Sequence, residues 1–372
     1  MPLRLTSVSA DLYRSIRRIQ VPVERLTVLV GKNGVGKTNL YRSLELLAAA
    51  ARGTITREIA EEGGFESVLW AGPRAKGPVR LKLGAEFGEY FYSIEIGLPA
   101  PIDEAALTKT EPMVKAEELV HRSHGKAVTL MKRQGPSAWL RDESGRRQSY
   151  EEALVPSETA LSGFRDQGRF TELDLVRRAL QDWRFYHDFR TDKASPIRQP
   201  ALAITTPTLA SDGYDLAAAL ATVFEIRGEA PDIEAAIADA FPGTALITEF
   251  GKGTVSIGLQ FPDLPRPLGA HELSDGTLHF LCLVAALSAY RLPGFIALNE
   301  PETSLHPELI PALARLIVRA AERTQVWVVT HSEALATALG EEAGVAPRVV
   351  VKQDGATWIE GLKLFGEFAD QE

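Results

Sequence analysis

Eight residues constrain this chain more than any others. Gly31-Lys32-Asn33-Gly34-Val35-Gly36-Lys37-Thr38 fits the spacing G-x-x-x-x-G-K-[ST] of the Walker A phosphate loop. The apolar run Leu26–Val30 before it reads as a buried strand, and Asn39–Ala50 after it reads as a helix. Strand, glycine-rich loop and helix, in that order, open a P-loop α/β fold. The glycines let backbone N–H groups curl around phosphate oxygens, and the helix N-terminus adds its partial positive charge. Gly31, Asn33, Gly34, Val35, Gly36 and Asn39 are therefore expected around the phosphates. Lys37 is expected to reach the β- and γ-phosphates, and the Thr38 hydroxyl to ligate Mg²⁺.

Composition narrows the setting. The 372 residues are 45% hydrophobic and 24% charged, enough for one large domain or two small ones. A net charge of −8 argues against a protein dominated by nonspecific DNA binding, while leaving room for a local basic patch. The single cysteine, Cys282, lies in an apolar helical stretch and reads as a small buried hydrophobe of a reducing compartment. The first residues hold no uninterrupted apolar core, so no signal peptide is expected. No run approaches the roughly 18 uncharged apolar residues of a spanning helix. Nothing is expected to insert in a membrane, and the cytoplasm is the expected location.

The remaining pattern alternates between strands and helices. Residues 3–8 and 25–30 read as the first strands, and Val79–Phe87 and Tyr90–Leu98 as a pair around Gly88-Glu89. Residues 99–150 are rich in Pro, Gly and charge, with further hairpins suggested by 127–131 and by the turn Asp142–Gly145. Helical spacing covers 171–180, 214–225, 232–241, 278–290 and 307–322. Residues 245–250 and 254–261 flank Gly251-Lys252-Gly253 as a hairpin. Residues 294–299 and 325–330 read as buried parallel strands, and 348–352 with 357–364 as a closing hairpin around Asp354-Gly355. No repeat and no sustained heptad run appears, so no coiled-coil arm is expected.

Four later elements bear on chemistry. The strand Phe295–Asn299 ends in Asn299-Glu300-Pro301-Glu302. In phosphate-loop ATPases the residue ending this strand supports the metal through water, and a Glu directly after it can deprotonate the attacking water. Asn299 is thus the expected metal-side residue and Glu300 the expected general base. Leu273-Ser274-Asp275-Gly276-Thr277 opens the apolar helix 278–290; a capped helix start beside a glycine can present N–H groups and a hydroxyl to a phosphate. Ser304-Leu305-His306-Pro307 follows the acidic strand, with Pro307 suited to a first helical position. His331 ends a buried strand and is expected to sense the γ-phosphate.

Together these residues resemble the ABC-type ATPase superfamily, within it the RecF/SMC/OLD-like stand-alone AAA-family ATPases. The likeness extends to Tyr13–Ile16, to Trp183–Arg190, to Thr208–Gly213 and to the run Asn299–Pro307. It implies a two-lobed head with a mixed sheet: a nucleotide-binding lobe from 1–160 and 291–372, and a helical signature lobe from 161–290. It also implies ATP-gated dimerisation, with one subunit's phosphate loop facing the other's Ser274 and Gly276 across each ATP. A role in DNA maintenance or defence is implied by the same likeness. Asn299 departs from the Asp most relatives carry; an amide accepts a hydrogen bond from metal-bound water but brings no charge. Slower turnover follows, or a scaffold that binds ATP with little hydrolysis. An energising subunit of a transporter is a further alternative and would need separate membrane subunits. The nuclease domain that OLD proteins carry is not expected here.

Three features have weaker markings. Gln148 and Gln167 are the candidates for the metal-side Gln, and Tyr13 for the base platform. Between Lys115 and Tyr150 lie Lys115, Arg122, Lys126, Lys132, Arg133, Arg141, Arg146 and Arg147, with His121 and His124. That run could line a nucleic-acid path or be the solvated charge of hairpins. The partner is expected to be a nucleic acid or a soluble protein.

Overall fold

Two kinds of sheet arise from two kinds of sequence run. The structure, a computed structural model, describes residues 3–74, 77, 79–99, 108–226, 230–363 and 366–369. Residues 100–107 of the Pro- and Gly-rich stretch, and Leu364 at the expected end of the closing strand, lie outside the described residues. The chain begins with β1 (Ser7–Tyr13), β2 (Ile16–Pro22), β3 (Leu26–Val30), α1 (Lys37–Arg52), α2 (Ile55–Glu61) and α3 (Phe65–Val68). Six strands follow: β4 (Leu81–Phe87), β5 (Tyr90–Gly97), β6 (Met113–Ser123), β7 (Lys126–Gln134), β8 (Ser137–Arg141) and β9 (Arg147–Tyr150). Next are α4 (Ala160–Gly163), α5 (Thr171–Gln181), β10 (Arg184–Tyr186), β11 (Ala201–Leu202), α6 (Leu216–Ile226) and α7 (Ala230–Ala240). Then come β12 (Ala245–Phe250), β13 (Thr254–Gln260), β14 (Leu268–Gly269), α8 (Asp275–Leu287) and β15 (Phe295–Asn299). The described elements close with α9 (Ile310–Ala321), β16 (Gln325–Thr330), α10 (Glu333–Ala343), β17 (Arg348–Gln353) and β18 (Ala356–Ile359).

The chain divides into two units. The first contains the residues up to Glu24, Gly31–Trp183 and those from Arg348 on; the second contains Arg25–Val30 and Arg184–Pro347. The chain passes between the units at 24/25, 30/31, 183/184 and 347/348.

In the first unit, alternating runs make an eight-stranded antiparallel sheet in the order β2-β1-β4-β5-β6-β7-β8-β9. Leu81, Leu83, Ala85 and Phe87 are buried on one face of β4, and Tyr92, Ile94 and Ile96 on β5, the period-two pattern of a half-covered sheet. The first strand begins at Ser7, later than expected, because its true partner is the unforeseen β2, with Ser7 opposite Pro22. Helix α1 packs on this sheet and on α5. Its run of alanines at 48–51 is fully buried, which lets backbone approach closely while favouring helix. Gly53, at φ 81°, ends α1 in a left-handed turn, and its N–H and that of Thr54 satisfy the carbonyls of Ala50 and Ala49.

In the second unit, continuous apolar runs make a parallel sheet in which β10, β15, β16 and β3 are neighbours in that order. Every residue of β15 and of β16 is buried, as expected for a sheet covered on both faces. Helices α6, α8 and α9 supply the cover through one apolar cluster. Helix α8 is buried continuously from Leu278 to Leu287. Cys282 lies within it, and burial raises its thiol pKa. Strand β13 pairs with β11, β12 and β14 in a small antiparallel sheet. Among the described residues no helix exceeds the sixteen-residue α1, and none is long and apolar enough to cross a membrane.

Candidate functional site

The loop Gly31–Thr38 is shaped by its glycines and held by residues far away in sequence. Gly34 and Gly36 have φ of 81° and 99°, backbone that side-chain-bearing residues resist. A Cβ on Gly36 would lie 1.9 Å from Thr357 Oγ1 and 2.4 Å from Ser15 Oγ, so no other residue fits. Around that point runs a directed chain of hydrogen bonds. Asn39 Nδ2 donates to Ser15 Oγ at 2.6 Å, Ser15 and Thr357 hydroxyls meet at 2.6 Å, and Thr357 Oγ1 donates to the Val35 carbonyl at 2.8 Å. The Thr357 N–H also donates to the Ser15 carbonyl at 2.7 Å. Asn39, expected near phosphate, therefore has its side-chain nitrogen engaged in bracing the loop. Lys37 Nζ donates to the carbonyls of Gly31 and Lys32 at 2.6 and 2.9 Å. Lys32, Asn33 and Gly34 are exposed, and the Thr38 hydroxyl has no hydrogen-bond partner among the described residues.

A cavity of about 470 Å³ adjoins this network, lined by Arg14, Ser15, Asn39, Trp70 and Gly355 among others. Tyr13 is absent from it. Its ring is fully buried and its hydroxyl donates to Glu62 at 3.2 Å, so it offers no face to a base. Gln148 is also engaged elsewhere, donating to Asp142 at 3.0 Å on the β8–β9 hairpin at the far edge of the sheet. Gln167 lies in a turn before α5, where its carbonyl accepts from Thr171.

The second unit brings its expected residues to one sheet edge. Parallel register sets Asn299 opposite Val329 and Thr330 opposite Val30. The Asn299-Glu300 pair, His331 and the residue that enters the phosphate loop thus all leave from the C-terminal ends of adjacent strands, the usual ligand edge of such sheets. Asn299 is 2% exposed; its Nδ2 lies 2.7 Å from His187 Nδ1, and its Oδ1 is buried without a hydrogen-bond partner among the described residues. Glu300 adopts φ 52°, a strained left-handed conformation for a residue with a side chain. Its N–H is held by the Val329 carbonyl at 2.7 Å, and its carboxylate lies 3.4 Å from His331 Nδ1.

Glu302, which no motif had singled out for a role, organises this corner. It is buried, accepts from the Thr330 hydroxyl and from the Ser332 N–H at 3.3 Å, and lies 3.6 Å from His331 Nδ1. On the other side of the acidic turn, His279 of α8 reaches the Pro301 carbonyl at 3.1 Å. Burial lowers the His279 pKa, so the neutral ring donates Nε2–H there.

Ser274 caps α8, accepting from the Thr277 N–H at 3.1 Å. Gly276 has to be glycine, because a Cβ would approach the Ser304 carbonyl to 2.6 Å. Arg198, another residue without a sequence signal, ties the segment down by donating to the Leu273 carbonyl at 2.7 Å and to Asp275 at 2.5 Å. The two motifs that follow different strands, Ser274–Thr277 and Ser304–Pro307, line one cavity of about 710 Å³. His306 caps the turn at Pro307–Leu309 that leads into α9.

The basic run between 115 and 150 is largely engaged. Arg133 is fully buried, 3.2 Å from Glu117, and also bonds the carbonyls of Gly135 and Val155. It is a core residue rather than a surface charge. Arg122 pairs with Glu86 at 2.8 Å, His121 with Glu89 at 3.2 Å, and Arg147 stacks over Trp139.

Among the described residues no three His, Cys, Asp or Glu side chains are grouped to hold a metal. In the second unit the Asn299 Oδ1, buried and without a hydrogen-bond partner among the described residues, is a hard oxygen. Such an oxygen suits the water shell of a hydrated Mg²⁺ rather than a protein cage.

Known proteins bear on this geometry in two ways. The fold is similar to an SMC head solved in complex with the C-winged helix domain of ScpA, with 14% identity, TM-score 0.53, 96% of this chain and 97% of that chain covered. It is likewise similar to an SMC head with an extended coiled coil bound to the C-terminal domain of ScpA from Pyrococcus furiosus, with 13% identity, TM-score 0.52 and 97% of each chain covered. No curated protein matches the sequence. Residues 26–337, from β3 to α10, match the model of one family. The chain thus has the fold of an SMC head and belongs to the P-loop ATPase family described as "AAA domain, putative AbiEii toxin, Type IV TA system".

Proposed function

We propose that this protein binds ATP with Mg²⁺ and hydrolyses it, and that ATP gates the pairing of two copies. The observation that carries the reading is the shared C-terminal edge of β3, β15 and β16. There the entry to the phosphate loop, the Asn299-Glu300 pair and His331 leave neighbouring strands. Family membership supports ATP binding and hydrolysis in general.

Residue roles follow from chemistry. The backbone of Gly31, Asn33, Gly34, Val35 and Gly36 holds phosphate oxygens, and Lys37 exchanges its two loop carbonyls for them. The cavity beside Ser15 and Trp70 takes the base. Mg²⁺, held by Thr38 and through water by Asn299, would neutralise charge between the phosphates. Glu300, half exposed and held at the sheet edge, accepts the proton of the attacking water. His331 donates a hydrogen bond to the oxygen that gains charge, and Glu302 and Thr330 keep its loop in place. Ser274 and Gly276 offer a second copy's nucleotide a capped helix start in an open cavity.

The test is Mg²⁺-dependent phosphate release by the wild type and by Glu300→Gln. A fall of at least a hundredfold is expected for the variant; equal rates would refute the base. Sizing Glu300→Gln with and without ATP tests pairing. A dimer only with ATP is expected, and a monomer in both conditions at high concentration would remove the gate. A nucleic acid, or a soluble protein of the kind seen on the SMC heads, is the partner class we propose.

A further inference from the structure

Asn299 has two unlike ends, and only one of them suits a metal's water shell. Its Nδ2 lies 2.7 Å from His187 Nδ1, while its Oδ1 is buried and partnerless among the described residues. A carboxylate would present an oxygen whichever way it turned. An amide turned the wrong way presents two N–H donors, which repel a cation's hydrated shell. The substitution of Asn for an acid at this place therefore creates an orientation problem that an Asp does not have.

His187 solves it by position. Strand β10 pairs in parallel with β15, Tyr186 standing opposite Leu298. His187 is the next residue, beside Asn299, and is itself exposed. Its Nδ1 accepts the amide proton, which puts the ring proton on Nε2. Turning Asn299 over would set its oxygen against that acceptor, and the bond would be kept only if the ring proton moved from Nε2 to Nδ1. The ring is kept in reach because the preceding Tyr186 is buried and anchored by its hydroxyl to the Leu209 carbonyl at 3.0 Å.

We infer that His187 is a positioning residue that selects the metal-facing orientation of the Asn299 amide. The inference rests on the role given to Asn299 above. It makes the Asn at 299 and the His at 187 one functional pair, in which the histidine supplies the orientation that an aspartate's symmetry would supply unaided.

The test measures Mn²⁺ affinity of the full chain saturated with ADP, by the electron paramagnetic resonance signal of free Mn²⁺. Wild type, His187→Ala, His187→Gln, Asn299→Ala, Asn299→Asp and the double variant His187→Ala/Asn299→Asp are compared. His187→Ala is expected to weaken Mn²⁺ by about tenfold, and His187→Gln, whose amide oxygen can accept the same proton, to recover part of it. In the Asn299→Asp background, His187→Ala is expected to change Mn²⁺ affinity less than about twofold. Loss of equal size in both backgrounds, or no loss in either, would overturn the positioning role. If Asn299→Ala leaves Mn²⁺ affinity unchanged, the metal role of Asn299 fails, and this inference with it. If Asn299→Ala weakens Mn²⁺ but His187→Ala does not, the metal role stands and only the positioning falls.

Discussion

Thr357 offers a sharp test of how the phosphate loop is held. It is fully buried, and its hydroxyl stands between Ser15 Oγ at 2.6 Å and the Val35 carbonyl at 2.8 Å. Thr357→Ala leaves one donor and one acceptor unpaired. Each such group costs about 1–3 kcal/mol when buried. Ser15 and Val35 are only half-buried, so water recovers part, and about 1 kcal/mol apiece is a fair figure. A combined cost of about 2 kcal/mol on loop order corresponds to roughly a 30-fold loss of ATP affinity, at about 1.4 kcal/mol per tenfold. Thr357→Ser keeps the hydroxyl and removes one methyl, worth about 0.8 kcal/mol of overall stability, so its affinity should stay within about threefold of wild type. Calorimetric titration with ATP and EDTA, alongside thermal melts, separates the two effects. The reasoning fails if Thr357→Ala binds as the wild type does. It also fails if Thr357→Ser loses as much as Thr357→Ala, since packing and not the hydrogen bond would then be holding the loop.

Two further outcomes are expected. Burial on α1, reinforced by Glu58 and Glu62 and opposed by Arg42, raises the Glu45 carboxyl from 4.5 to about 7. Its folded value exceeds the unfolded one, so its contribution to stability is complete below pH 4.5 and is lost as pH rises through about 7. Glu45→Gln should therefore raise the melting temperature at pH 8 and leave it unchanged at pH 4.5; equal effects at both would exclude titration as the cause. At position 300, Asn tolerates left-handed backbone better than Glu or Gln. Glu300→Asn should thus melt about 1–2 °C above Glu300→Gln, for about 0.5–1 kcal/mol of relieved strain, with phosphate release lost in both; no difference in melting would mean the strain is absent.

What the sequence disclosed followed the range of the interactions involved. The phosphate loop was legible because eight contiguous residues carry its chemistry. Strands β15 and β16 were legible because a buried parallel strand needs an uninterrupted apolar run. The β12–β13 hairpin was announced by its glycines. The β1–β2 hairpin was not: Leu12 at the end of β1 and Arg14 in its turn take φ 59° and 48°, and neither residue carries a turn signal. Strand β6 hid among its charges, since Glu117 faces inward to Arg133 across a register that no local pattern reveals. At the site, Glu300 and His331 could be proposed from strand ends. His187, Glu302 and Arg198 could not, because each matters through a partner more than 25 residues away.

The hydrogen-bonded chain from Asn39 through Ser15 to Thr357 has a consequence for synthesis. It closes over 342 positions of sequence. A ribosome that has made the first 350 residues has produced every residue of the glycine-rich motif and of the parallel sheet. Yet the hydroxyl that fastens the Val35 peptide has not been translated. Ordering of the loop is thereby tied to a residue made 322 positions after the peptide it fastens.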